Sequence, residues 1–206
     1  MLFDILGLIS LLFIIIIMRR IVDLLPLVIK CLLWWKENVN IDVSLKVRRD
    51  RNLVAASLML PFCLLAMRFK LYYPEFMDGM REAAATGTII GIFLCYMLLR
   101  EGIAAGLRPR RMSSNTWHAA TTTEYTFFIP LVLVLLLVGG VASLTHAPLS
   151  SIKVAMFCIS GAIYLVFLVR KFQIFSANCN LFSAFLYLCT LEILPTGVLI
   201  TSAVIF

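Results

Sequence analysis

One carboxylate, Glu192, interrupts the apolar run from Leu181 to Phe206, and it is the residue best placed to do chemistry away from water. It lies eleven residues after Leu181, which is ~16 Å along a helix and close to the middle of a bilayer. An ionised acid is costly at that depth. We therefore expect Glu192 to face the protein interior, where it is neutral, paired with a cation or hydrated.

Pro195 follows Glu192 at a spacing that predicts a kink beside the carboxylate. Proline has no N–H group, so the carbonyl oxygen of Leu191 loses its usual helical partner. Thr190, Thr196, a protonated Glu192 or a trapped water molecule would satisfy that oxygen.

Two roles for Glu192 remain open at this point, a structural polar clamp and a proton or ion relay. A relay needs further ionisable groups at depth. The residues Asp4, Lys153 and His146 are all predicted near the outer ends of their helices. We therefore favour a structural or assembly role.

The polar segment from Arg100 to Tyr125 offers a second candidate site. Guanidinium groups bind phosphate through paired hydrogen bonds, so its arginines would suit the headgroup of an anionic lipid or a polyprenyl phosphate. The positive-inside rule explains the same arginines as anchors of two helix ends, and we favour that explanation. The residues of this candidate headgroup or partner contact are Arg108, Arg110, Arg111, Trp117 and His118.

A third candidate is the segment from Asn38 to Arg51, in which apolar and polar residues alternate strictly. This period is typical of a half-buried strand. Such a strand would either lie on the membrane surface, which we favour, or pair with a strand of another protein. The apolar residues of this candidate docking segment are Val39, Ile41, Val43, Leu45 and Val47.

No constellation of catalytic or metal-ligating residues is recognisable in the sequence. The six cysteines form no CxxC pair, which favours packing roles over disulfides or metal ligation. The two histidines are predicted on opposite faces of the membrane domain. The HExxH, GxSxG and phosphate-loop motifs are absent. We expect a protein that is not an enzyme and that has neither a metal nor a cofactor.

Composition indicates an integral membrane protein, because 62% of the 206 residues are hydrophobic and soluble domains average roughly 45–50%. We predict an all-α fold with about six transmembrane helices, or five if the first does not fully span. The segment Ile21 to Trp35, interrupted by charges and a proline, is predicted to be interfacial or re-entrant. The six apolar stretches are Met1 to Met18, Leu53 to Met67, Ala83 to Leu99, Phe127 to Thr145, Ile152 to Val169 and Leu181 to Phe206.

The basic residues predict the side of the membrane on which each loop lies. With the N-terminus outside, 14 of the 18 Lys and Arg residues fall in inner loops, as the positive-inside rule requires. Residues 1–206 then form one transmembrane domain with both termini outside, which means periplasmic in a Gram-negative cell. Residues 19–52 and 100–126 form cytoplasmic basic loops that face anionic lipids. This bias explains the net charge of +7 without nucleic-acid binding.

Small residues predict where helices approach closely. Gly87 and Gly91 form a GxxxG spacing, with Ala83 and Cys95 on the same helical face. We expect contacts within the chain in preference to a homo-oligomer, which remains an alternative.

Two stretches resemble a known family. "FLYLCTLEILP", Phe185 to Pro195, and "RRDRNLVAASLMLPFCLLA", Arg48 to Ala66, resemble an uncharacterised family of multi-span inner-membrane proteins, a domain of unknown function found in Bacteroidota. The resemblance implies a Bacteroidota inner membrane and implies no activity.

The sequence thus predicts a non-catalytic accessory or scaffold subunit of a larger cell-envelope complex, with other membrane proteins as partners. The alternative is a small transporter or lipid-handling protein that uses Glu192 and the arginine cluster.

Overall fold

The computed structural model describes residues 2–41, 44–77, 79–107, 114–145 and 148–205, and these are almost entirely helical. Within these ranges six helical segments are long and apolar enough to cross a membrane, which confirms the predicted all-α multi-span fold. The helices are α1 (Leu2–Leu33), α2 (Trp35–Ile41), α3 (Leu45–Arg68), α4 (Glu82–Gly106), α5 (Ser114–Thr145), α6 (Leu149–Ser176), α7 (Leu181–Leu188) and α8 (Leu194–Ile205), with a 3₁₀ turn at Glu75–Met77 and a π-helical turn at Cys189–Ile193 that joins α7 to α8.

Helix α1 is longer than the sequence predicted. The residues from Ile21 to Leu33 continue the first helix instead of forming a separate interfacial or re-entrant segment, and Pro26 lies inside that helix. Membrane helices tolerate proline because neighbouring groups satisfy the backbone that it frees. Arg20, in the middle of α1, pairs with Asp50 of α3 at 3.4 Å, so this ion pair joins the two helices.

The described residues of the alternating segment form helices and not the predicted strand. A lone strand leaves its backbone groups unpaired, whereas a helix satisfies them internally. Docking of a partner protein on this segment stays a prediction. Val39 and Ile41 lie in α2, Leu45 and Val47 lie in the first turn of α3, and Val43 lies outside the described residues.

A buried asparagine holds α2 against the end of α1. Asn38 is 1% exposed, and its side-chain amide donates a hydrogen bond to the carbonyl oxygen of Cys31 at 3.1 Å. Ile41 on the same short helix is also buried. The short helix α2 therefore packs against the bundle, although polar and apolar residues alternate in this region as they do in a strand.

Helix α3 lies at the centre of the bundle, in contact with α1, α4 and α5, and α5 packs in turn on α6. Its buried residues Val54, Ala55 and Leu58 meet Ile129 and Val132 of α5. Contacts of this kind supply the apolar burial and dispersion energy of the core. They hold α5 against α3, which also contacts α4, and the helices α4, α5 and α6 carry the charged residues discussed below.

The GxxxG residues of α4 do not mediate packing within the described part of the chain. Gly87 and Gly91 are exposed, and an added Cβ at either position would meet nothing within 4 Å. The face of α4 that packs on α3 instead carries Ile89 and Phe93. Large apolar side chains bury more surface than glycines, so they decide which face of α4 turns inward.

The close approach between helices occurs at Gly139 of α5. A Cβ built there would lie 3.1 Å from Phe69 Cε2, 3.2 Å from Leu65 Cδ2 and 3.4 Å from Met156 Cε. This glycine therefore allows the end of α3 and the start of α6 to pack against α5.

We expect Gly139→Leu to lower the free energy of unfolding by about 1–3 kcal/mol, the usual cost of overpacking a filled core. The matched control is Gly140→Leu, because Gly140 is exposed and an added Cβ there meets nothing within 4 Å. Thermal unfolding in a mild detergent measures both variants. Equal losses of stability for the two would contradict this account of Gly139.

Candidate functional site

Glu192 lies inside the bundle, in the π-helical turn of the sixth spanning segment, and is 1% exposed. The N–H group of Leu194 donates to the carbonyl oxygen of Cys189, which is the wider π register. Pro195 lies two residues after the last residue of this turn, Ile193, and cannot supply the N–H group of an ordinary α-helical turn. Single π turns of this kind are frequent at functional sites.

Two cations bind the Glu192 carboxylate. Arg100 of α4 donates through Nη2, and Lys171 of α6 donates through Nζ, both to Oε1. The other terminal nitrogen of Arg100, Nη1, pairs with Oε2 of Glu124 on α5. These four residues, which we call the charge cluster, join α4, α5, α6 and the π turn. Arg100, Lys171 and Glu192 are at most 6% exposed.

The directions of the helices explain why these side chains meet. In a helix the Cα–Cβ bonds tilt towards the N-terminus. Arg100 and Lys171 lie near the C-terminal ends of their helices, so their long side chains lean towards the middle of the bundle. Glu124 and Glu192 lie ten or more residues after the starts of α5 and α7, so their side chains lean back to meet them.

Aromatic and hydroxyl groups complete the surroundings of the charge cluster. The ring centroid of Phe167 lies 5.5 Å from Lys171 Nζ and 6.0 Å from Arg100 Cζ, within the range of a cation–π contact. The hydroxyl of Tyr164 donates to the backbone oxygen of Glu192 at 3.3 Å. The π turn is therefore held by its backbone as well as by its carboxylate.

The charge cluster contains two bases and two acids, so its net charge is zero when all four are ionised. A buried ion pair repays its desolvation only when its geometry and hydrogen bonds are good. Arg100 also retains one buried donor, Nε, that has no hydrogen-bond partner among the described residues. A buried cation with a spare donor is set up to accept a further oxygen ligand.

Two cavities of opposite character meet at the charge cluster. The polar cavity has a volume of about 470 Å³, and the apolar cavity has a volume of about 210 Å³. Both are lined by Arg100, Glu124, Tyr125 and Glu192, so these residues form the boundary between them. The other residues that line the polar cavity include Lys171, Trp117, His118, Thr121, Thr122 and Glu101. Those that line the apolar cavity include Phe62, Phe93, Leu131, Ile163 and Phe167.

The structure brings some of the sequence-predicted site residues to this place. Trp117 and His118 line the polar cavity on α5, and Trp117 packs on Phe175 and Tyr187 with ring centroids about 6 Å apart. Thr190 is not part of the cluster, because its hydroxyl donates to the carbonyl oxygen of Leu186 on its own helix. Thr196 contacts the hydroxyl of Tyr96 at 3.1 Å, and Arg108, Arg110 and Arg111 lie outside the described residues.

Sequence reasoning missed the three partners of Glu192. The sequence pattern placed all three, Arg100, Glu124 and Lys171, in inner loops. They lie within helices instead, because α4 continues to Gly106, α5 begins at Ser114 and α6 continues to Ser176. The available signal was Glu192 itself, because a buried acid requires a cation. The nearest basic residues at the ends of neighbouring apolar runs are Arg100, Arg170 and Lys171.

The described residues contain no group of three or more His, Cys, Asp or Glu side chains that would hold a metal ion. No protein-family model, curated protein or solved structure matches this chain. The resemblance to the Bacteroidota family therefore stays a prediction, and functional inference depends on the geometry of the site.

Proposed function

We propose that this protein binds or carries an amphipathic, lipid-like molecule inside the membrane, with its polar end in the polar cavity and its chain in the apolar cavity. The observation that carries this proposal is the meeting of the two cavities at one buried charge cluster. An ionisable cluster within membrane helices is a functional site by default, because its burial is too costly to be accidental.

The shapes of the cavities support an amphipathic ligand over a small ion. The polar cavity, at about 470 Å³, falls within the ~300–1,000 Å³ typical of ligand sites. The apolar cavity lies on the other side of the charge cluster, where the Phe62, Phe93 and Phe167 rings line it. A hydrated ion gains nothing from an aromatic chamber, whereas a hydrocarbon chain is bound there by dispersion and exclusion of water.

The positive-inside rule orients this site within the proposal. The polar cavity lies at the end of the bundle where α4 ends and α5 begins. This end carries the basic inner loops of the predicted topology, so the polar cavity faces the cytoplasm of a bacterial inner membrane and both termini are periplasmic. Three of the basic residues assigned to the inner side, Arg51, Arg100 and Lys171, are buried in the bundle. The excess of Lys and Arg remains on the inner side when these three are left out of the count.

Filling the apolar cavity tests this function. Ile163→Trp places an indole in that cavity, and we expect it to weaken ligand binding roughly five- to 140-fold, because overpacking costs about 1–3 kcal/mol and ~1.4 kcal/mol is a factor of ten. The probes are two single-chain amphiphiles with the same acyl chain, monoacylglycerol and lysophosphatidylglycerol. Their binding to purified protein is measured by native mass spectrometry.

The matched control for this experiment is Leu165→Trp on the same helix, because Leu165 is 63% exposed and does not line the cavity. Its binding of both probes should equal that of the unmodified protein. Saturable binding of neither probe, or equal binding by the two variants, would refute the proposed function.

A second candidate is the accessory or scaffold role in a membrane complex. It is favoured by the exposed face of small residues on α4, Ala83, Gly87, Gly91 and Cys95, which leaves room for a neighbouring helix. Gly87→Leu with Gly91→Leu would block such a contact. Loss of a specific co-purifying membrane protein in that variant would support this role, and an unchanged set of co-purifying proteins would argue against it.

A further inference from the structure

We infer that the polar cavity takes the anionic headgroup of its amphiphile together with one proton, and that Glu192 accepts the proton. This inference rests on the proposed function and adds the class of ligand and the coupling. The anion takes the place of the Glu192 carboxylate as the partner of Arg100 and Lys171. A phosphate or carboxylate oxygen provides the chemistry that these two cations recognise.

Charge balance inside the membrane leads to this inference. The cluster of Arg100, Lys171, Glu124 and Glu192 is neutral as it stands. An added monoanion would leave a net negative charge in a region of low dielectric constant, which is expensive. One proton taken from water restores the balance: the ionised protein, the proton and the anion give a complex with a neutral Glu192 and a bound anion.

Hydrogen-bond geometry selects Glu192 in preference to Glu124 as the proton acceptor. The carboxylate of Glu192 binds both Arg100 and Lys171, whereas Glu124 pairs with Arg100. Neutralising Glu192 therefore releases two cations at once. Arg100 Nε, buried and without a partner in the described chain, supplies a further donor at the boundary of the two cavities.

Other titratable groups surround this place and have to be separated from Glu192 in any test. The polar cavity contains Glu101 and His118, and the hydroxyl of Tyr125 donates to Glu101 at 2.8 Å. The phenols of Tyr96 and Tyr164 lie on the apolar side, with Tyr164 bonded to the backbone of Glu192.

The affinity for a permanently charged amphiphile, measured from pH 6 to pH 9, tests the inference. Lysophosphatidylglycerol carries a phosphodiester with a fixed single charge, and monoacylglycerol with the same chain is its neutral match. We expect the affinity for the anionic probe to fall by up to about tenfold for each unit rise in pH, since binding takes up one proton. The affinity for the neutral probe should not change with pH.

Glu192→Gln keeps the shape of the side chain and removes its negative charge. We expect this variant to bind lysophosphatidylglycerol more tightly than the unmodified protein at pH 9, with no pH dependence remaining. Glu101→Gln and His118→Gln are the controls, and both should retain the pH dependence because the charge cluster, including Glu192, is intact. If Glu192→Gln does not insert, the unmodified protein and these two controls still decide the question.

The outcomes separate this inference from the proposed function. Equal binding of the anionic and neutral probes, or anionic binding that is independent of pH in the unmodified protein, would overturn the inference and leave the proposed function standing. Failure of both probes to bind would overturn both. Binding of the soluble headgroup glycerophosphoglycerol as tightly as the lipid would show that the ligand is a soluble phosphate ester, which contradicts the proposal of an amphipathic ligand.

Discussion

Replacing Glu192 with alanine is expected to lower the free energy of unfolding by about 3–5 kcal/mol, which is the cost of removing one partner of a buried ion pair. The loss is large because Arg100 and Lys171 both bind this carboxylate, and both are buried. Without it, Lys171 stays buried but loses its carboxylate partner. Thermal unfolding in mild detergent, or unfolding in mixed micelles of increasing denaturing detergent, measures the effect.

A charge-balanced variant distinguishes loss of pairing from loss of packing. Glu192→Leu combined with Lys171→Met removes one acid and one base, and apolar replacements of buried pairs are often neutral or stabilising. We expect this double variant to be more stable than Glu192→Ala. The surface control is Glu82→Ala, because Glu82 is exposed in the first turn of α4. A double variant as unstable as Glu192→Ala would show that shape, not charge, is what matters at this position.

Arg100→Ala is expected to cost a similar amount, about 3–5 kcal/mol, for the opposite reason. Arg100 stands between two carboxylates, those of Glu124 and Glu192, and connects α4 to both. Its removal leaves two acids facing one remaining cation, Lys171. Unlike the Glu192 variants, this change also removes the ion pair between α4 and α5 at the boundary of the two cavities.

Arg100→Lys refines this prediction, because lysine keeps the positive charge but lacks the planar guanidinium group. Lysine is a compact point charge that does not present two nitrogens in a plane to two different acids. We expect a loss of stability smaller than that of Arg100→Ala and clearly different from zero. Arg81→Ala is the matched surface control, because Arg81 is exposed and precedes the same helix. Full stability of Arg100→Lys would contradict a bridging role for the guanidinium.

The sequence pattern predicted the structure least well in the segment where polar and apolar residues alternate. The segment from Asn38 to Arg51 alternates like a strand, yet its described residues include the end of the short helix α2 and the start of α3. The packing that decided this, Asn38 against the carbonyl of Cys31, joins residues seven positions apart through a turn. Gly87 and Gly91 are a second example. Their spacing predicts a packing face of α4, but the neighbouring helices determine which face of α4 is packed.

The sequence by itself determined that this is a helical membrane protein with about six spans and that Glu192 is its most unusual buried group. Both follow from local quantities, the length of apolar runs and the cost of a charge in hydrocarbon. Only the tertiary structure decided that Arg100, Glu124 and Lys171 meet Glu192 and that two cavities adjoin them. The physical reason is that these contacts join four helices across long sequence separations, so their positions depend on helix direction and packing, which no single segment encodes.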